Sequence, residues 1–165
     1  MRHGRLTLMF SWLPGMLLAG VVSANEPVSG YTFLAPETQA MQDDDFENPG
    51  MVTVDKGEAL FHEHRPYEEY SCASCHGPDA GKLDTEMIAT YPRFEPDFGG
   101  LITLQERVNQ CWEINMDRFP LSYDAPELVA LETYVRNRAI GERVNVRTDG
   151  PMEPLLKQGE ELYRT

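Results

Sequence analysis

The sequence predicts an all-α domain with long loops, preceded by an extended N-terminal arm. Three observations lead there. Two segments place apolar residues on one face at the 3.6-residue period. No segment alternates apolar and polar residues as a half-buried strand does. The 12 Pro and 13 Gly of the 165 residues lie outside those segments, with several in residues 25–50 and 77–100, where they mark loops.

The elements follow in chain order. Arg2 and Arg5 precede an apolar run from Leu6 to Val22, which closes on Val22-Ser23-Ala24. This is the pattern of a secretory leader cut after Ala24, so residues 1–24 are expected to be a signal peptide. The alternative, a membrane anchor, suits a run that short and broken by Pro14-Gly15 less well. Export implies an oxidising compartment, here the bacterial periplasm. Residues 25–50 hold Pro27, Gly30, Pro36, Pro49 and the acidic run Asp43-Asp44-Asp45 with no visible period, and are expected to form the extended arm. Asp55-Lys56-Gly57-Glu58 has the form of an N-cap with Glu at N3, which predicts a short helix with Leu60 and Phe61 facing inward. Residues 77–100 are expected to be a long loop with at most a short helix near Met87.

Thr103-Leu104-Gln105-Glu106 is a capping box. The helix it opens carries Leu104, Val108, Cys111 and Trp112 on one face. Asp124-Ala125-Pro126-Glu127 opens another, with Pro tolerated in its first turn. Its stripe is Leu128, Leu131, Tyr134 and Val135, and Gly141 is placed to stop it. Near the end, Gln158-Gly159-Glu160-Glu161-Leu162-Tyr163 echoes Lys56-Gly57-Glu58-Ala59-Leu60-Phe61. The echo predicts that residues 146–165 are a linker and the start of a second, similar domain.

The formal charge of −13 excludes the basic face that nucleic acid requires, and a cationic patch on a protein partner suits the chain better. No segment after the leader is apolar enough to cross a bilayer.

The chemistry lies in Cys72-Ala73-Ser74-Cys75-His76. C-x-x-C-H is the attachment pattern of c-type haem. Cysteines at i and i+3 share a helical face, so both sulfurs reach the vinyl groups of one haem, and the adjacent imidazole becomes the proximal iron ligand. Other readings of the same residues are a redox pair, which lacks its βαβ context, a chance disulfide, and a zinc-bound interaction module using His62, His64, Cys72 and Cys75. For the distal iron ligand, Met87 is too near the motif to wrap around the haem. Cys111 and Met116 are both far enough, and the residues alone leave those two open.

These segments resemble the SoxA family, di-haem cytochrome c subunits of the SoxAX complex of bacterial thiosulfate oxidation. The resemblance is carried by Asp45–Met51, Val54–Glu58, Ser71–Gly77, Leu104–Cys111 and Tyr123–Leu131. It implies a cytochrome c-like haem domain over residues 51–145, with Cys72 and Cys75 as thioethers. His76 is then the proximal ligand and Cys111 the distal thiolate, with Met116 as the fallback. The family's activity is that of an L-cysteine S-thiosulfotransferase. It uses thiosulfate, a SoxYZ carrier and a SoxX cytochrome partner. The family's catalytic cysteine belongs to a second haem domain, so no residue here is assigned a catalytic role. One haem c is expected in this chain, with periplasmic electron transfer as its role. A stand-alone mono-haem carrier and a thiosulfate dehydrogenase-like cytochrome are the alternatives.

Overall fold

The computed structural model describes residues 28–64 and 70–165. The expected leader lies outside the described residues, as do positions 25–27 of the arm. The chain divides into two compact units, residues 1–39 and 40–165.

The described part of the first unit is not extended. Ser29 accepts the Tyr31 N–H through its hydroxyl at 3.2 Å and opens a 3-10 turn, Gly30–Phe33. Helix α1, Pro36–Asp43, follows, with Glu37 in its first turn. The arm expectation is thus corrected. Pro36 suits the start of a helix, where its missing N–H costs nothing. The helix buries none of its residues, so no apolar period marks it.

In the second unit, helix α2 runs from Met51 to His62. It begins a turn earlier than the Asp55 signal predicts. The Asn48 side chain accepts the Gly50 N–H at 2.9 Å and turns the chain into the helix. Met51 then packs on the core and Val54 is buried in it, which fixes the start. Helix α3, Cys72–His76, is a single short turn. Its entry is held by Ser71 N–H, which donates to Ser74 Oγ at 3.0 Å. Gly77 ends it with a positive φ of 86°. Helix α4, Thr85–Ile88, is capped by the Asp84 carboxylate and lies where a short helix near Met87 is expected.

A small two-stranded sheet accompanies the helices. Arg93–Glu95 (β1) and Gly100–Ile102 (β2) pair antiparallel, joined by the 3-10 turn Pro96–Phe98 and a left-handed Gly99. Strands of three residues are too short to display a period, so the pattern could not reveal them.

Helix α5, Leu104–Met116, carries the expected capping box: Thr103 N–H donates to Glu106 Oε2 at 2.6 Å, and Glu106 N–H returns to Thr103 Oγ1 at 3.2 Å. Helix α6, Pro126–Asn137, buries Leu128, Leu131, Tyr134 and Val135 as the stripe predicts. It ends at Asn137, and Gly141, with φ +96°, closes the turns that follow. The tail forms a 3-10 turn, Gly150–Met152, and helix α7, Glu153–Arg164.

The core of this unit centres on α2 against α6, with α5 against α6 beside it. Each fully buried Leu or Phe in such a core contributes roughly 1.5–3 kcal/mol. At Gly57 α2 and α6 approach closely. A Cβ built on it would lie 2.1 Å from Ala130 O and 2.6 Å from Tyr134 Cβ. The corresponding glycine of the echo, Gly159 in α7, has nothing within 4 Å.

The two glycines therefore respond oppositely to the same change. Gly57→Ala is expected to destabilise the haem-loaded protein by about 2–3 kcal/mol, since the contact is with backbone. Gly159→Ala is expected to be neutral or to stabilise by up to about 1 kcal/mol through helix propensity. Denaturant midpoints of both variants check this. A Gly57→Ala protein as stable as the parent would show that α2 and α6 can part at no cost.

Candidate haem site

The C-x-x-C-H turn is pressed against α2. Phe61, 1% exposed, sits with its ring centroid 6.2 Å from that of His76 and 5.1 Å from that of Tyr134. Phe61 was expected to face inward, and the structure shows what it faces: the imidazole of the motif. After the turn, Lys82 N–H donates to His76 O at 3.0 Å, so the chain folds back against the motif.

A cavity of about 290 Å³ opens beside it. Phe61, Cys72, His76, Leu131 and Val135 line it from the α2, α3 and α6 side. Leu104, Arg107, Val108 and Cys111 line it from α5. Lys82, Leu83, Met87, Ile88 and Tyr91 complete it from the loop after the motif. A smaller cavity of about 50 Å³ is bounded by Tyr70, Cys75, Asn115 and Met116. Three residues line both spaces: Cys72, His76 and Cys111.

The setting favours neutral forms of these groups. Burial pushes the Cys72 thiol up to about 11, with Cys111 and Cys75 adding to the rise and Arg118 opposing it. Burial also raises the Cys111 thiol, against the Arg107 guanidinium and a hydrogen bond from Asn115. Burial, with Lys82 nearby, lowers the His76 imidazole below its usual 6.5. A neutral imidazole keeps the lone pair that an iron ligand needs. Cys72 and Cys111 are half-buried and Cys75 is exposed; none forms a disulfide. Two spaces that share Cys72, His76 and Cys111, with Cys75 on the smaller one, fit a covalently held haem.

The structure treats the other candidates differently. Met116 borders the smaller cavity. Met87, expected to be too close, lines the larger one because α4 turns the chain back within a few residues. His62 is engaged elsewhere: Nδ1 lies 2.9 Å from Glu58 O and Nε2 2.6 Å from Pro78 O. Among the described residues no group of three or more His, Cys, Asp or Glu is placed to hold a metal ion, so the zinc arrangement of His62, His64, Cys72 and Cys75 is not formed. Arg107, Lys82 and Tyr91 were not singled out from the sequence, since each lies outside any motif of fixed spacing.

The helical unit and this cavity define a cytochrome c-like domain. A family model, SoxA/TsdA cytochrome c domain, matches residues 56–144. The chain belongs to the SoxA/TsdA cytochrome c domain family, and a cytochrome c domain is one that carries haem c. The L-cysteine S-thiosulfotransferase subunit SoxA of Rhodovulum sulfidophilum is 33% identical over 138 residues, 83% of this chain and 47% of that protein. A thiosulfate dehydrogenase of Allochromatium vinosum is 26% identical over 57% of this chain and 41% of its own length. The crystal structure of SoxXA from P. pantotrophus matches with a TM-score of 0.68 at 30% identity, covering 83% of this chain and 51% of that one. The chain spans about half the length of the curated relatives it matches.

The His62 contacts predict a pH effect. Both ring nitrogens face carbonyl oxygens, and only the imidazolium can donate to both. The Glu58 and Pro78 carbonyls accordingly raise its pKa above 6.5. A raised folded-state value contributes stability that is complete below the unfolded pKa and is lost as pH rises through the folded one. His62 is expected to titrate above 6.5 by NMR. His62→Gln should remove the part of the stability–pH curve that falls above that pH. A His62 midpoint at or below 6.5 would contradict the two-carbonyl geometry.

Proposed function

We propose that this chain is the haem-carrying electron-transfer domain of a SoxA-like protein. One haem c is attached through Cys72 and Cys75. His76 is the proximal iron ligand and Cys111 the distal one. Met116 is the fallback. The observation that carries this reading is that Cys72, His76 and Cys111 line both cavities. When bound, the haem supplies a one-electron Fe(III)/Fe(II) couple. The chain supplies the rest. Phe61 keeps water from one side of the His76 ring, and burial keeps His76 neutral. Burial raises the Cys111 thiol, and the Arg107 charge and a hydrogen bond from Asn115 oppose that rise in part.

The biological setting belongs to the same proposal. The relatives are L-cysteine S-thiosulfotransferase subunits, which supports a role in thiosulfate oxidation. A SoxX-like cytochrome is the proposed electron partner, supported by the likeness to SoxXA. A SoxYZ-like carrier and thiosulfate enter with the intact enzyme. The leader-like start supports a periplasmic location. Among the described residues no helix is long and apolar enough to cross a membrane. Residues 146–165 are proposed as the linker and first helix of a second domain of the same kind. The echo of α2 in α7 and the half-length match to relatives support this.

Two outcomes are expected for chain matured with haem. The pyridine haemochrome should show the two-thioether signature and one haem per chain, and Cys72→Ala should displace that signature. Cys111→Met should raise the reduction potential by a few tenths of a volt, since axial ligands span about 0.8 V and a neutral thioether favours Fe(II) over a thiolate. An unchanged potential would remove Cys111 from the iron.

A further inference from the structure

We propose that Arg107 is the propionate-binding site of this cavity. The inference rests on the haem reading above and adds the direction in which the haem lies. The thioether carbons and the two propionates of haem c occupy opposite edges of the porphyrin. A haem held by Cys72 and Cys75 therefore turns its carboxylates away from those sulfurs.

Helix α5 gives the direction. Asn115 and Met116 share the smaller cavity with Cys72 and Cys75, so this end of α5 lies at the thioether edge. Cys111 borders both spaces. Arg107 is one further turn back, about 6 Å along the axis, and borders only the larger cavity. The side chains along α5 thus run from the thioether edge past Cys111 to a guanidinium at the far edge.

Carboxylates taken into an apolar cavity need a charged, hydrogen-bonding partner. Among the described residues lining the two spaces, Lys82 and Arg107 are those that carry a fixed positive charge. The planar fork of Arg107 suits a carboxylate, and the structure holds it in place. Its Nε donates to Tyr91 Oη at 3.3 Å, Nη1 donates to Gln110 Oε1, and Cζ lies 5.6 Å from the Phe98 ring centroid. Two acids face the same region and are accounted for. Glu95 lies 3.6 Å from Arg107 and shares its charge with Arg93 at 3.3 Å. Asp84 is turned to cap α4, accepting the Met87 N–H at 2.9 Å.

The test is resonance Raman spectroscopy on haem-loaded chain, comparing the parent with Arg107→Gln and Arg107→Lys. The propionate bending mode is expected to shift in Arg107→Gln and to move back toward the parent in Arg107→Lys. The iron–sulfur stretch of a thiolate ligand should stay in place. If Arg107→Gln does not retain haem, Tyr91→Phe releases one restraint on the guanidinium and should shift the propionate mode in the same direction by less. A propionate mode unmoved in the variants overturns the proposal. So does a shift confined to the iron–sulfur stretch, which would assign Arg107 to Cys111. Absence of a c-type haemochrome signature in the parent chain overturns the haem reading together with this one.

Discussion

The second unit depends on one contact without a side chain: Gly57 of α2 against the backbone of Ala130 in α6. Any Cβ there would occupy the space of a carbonyl oxygen. With none, two helices pack at backbone distance, and the residues one turn further along α2 are drawn into the same core. Phe61 is buried between Tyr134 of α6 and the His76 ring as a result. The position of the imidazole is therefore set from α2 and α6 and not by its own five-residue turn, which buries none of its residues.

That placement has an electrostatic consequence. The same burial that lowers the His76 imidazole raises the thiols of Cys72 and Cys111. All three shifts favour uncharged groups, as expected of an apolar cavity that penalises any charge placed in it singly. Thioether formation removes the ionisation of the first sulfur altogether. For Cys111, a cationic metal centre would add to the stabilisation of a thiolate that the Arg107 charge and the Asn115 hydrogen bond supply only in part. Burial that raises the thiols is compatible with thiolate ligation, because the iron would bring the opposite charge.

How much of this could be read beforehand follows from the range of each signal. The Thr103–Glu106 capping box and the Leu128–Val135 stripe are local patterns, and both helices appear where those patterns place them. The C-x-x-C-H motif is equally local, and the structure brings Cys72, His76 and Cys111 to the same two spaces, with Cys75 on the smaller. The misses share a different cause. Helix α1 buries nothing and so leaves no period, and β1 and β2 are three residues each. Asp55 resembles a cap but is overruled by Met51 and Val54, which pack on or within the core a turn earlier. Arg107 and Tyr91 meet across sixteen residues of chain, a partnership that no spacing rule encodes. His62 illustrates the reverse error: its proximity to His64 and the cysteines suggested a ligand set, yet two backbone carbonyls occupy its ring.

The echo between α2 and α7 can be read in the same physical way. Both segments place a glycine three residues before a Leu–aromatic pair. In α2 the glycine seats α6 and the aromatic is 1% exposed. In α7 a Cβ on the glycine would meet none of the described residues within 4 Å, and Leu162 and Tyr163 are 78% and 92% exposed. Leu155 and Leu156 lie on the same turn-by-turn stripe and are also exposed. The shared sequence is thus a packing pattern and not a ligand pattern: glycine for close approach, then an apolar pair for the core that the approach creates. In α2 that approach is completed by Ala130 and Tyr134 of α6.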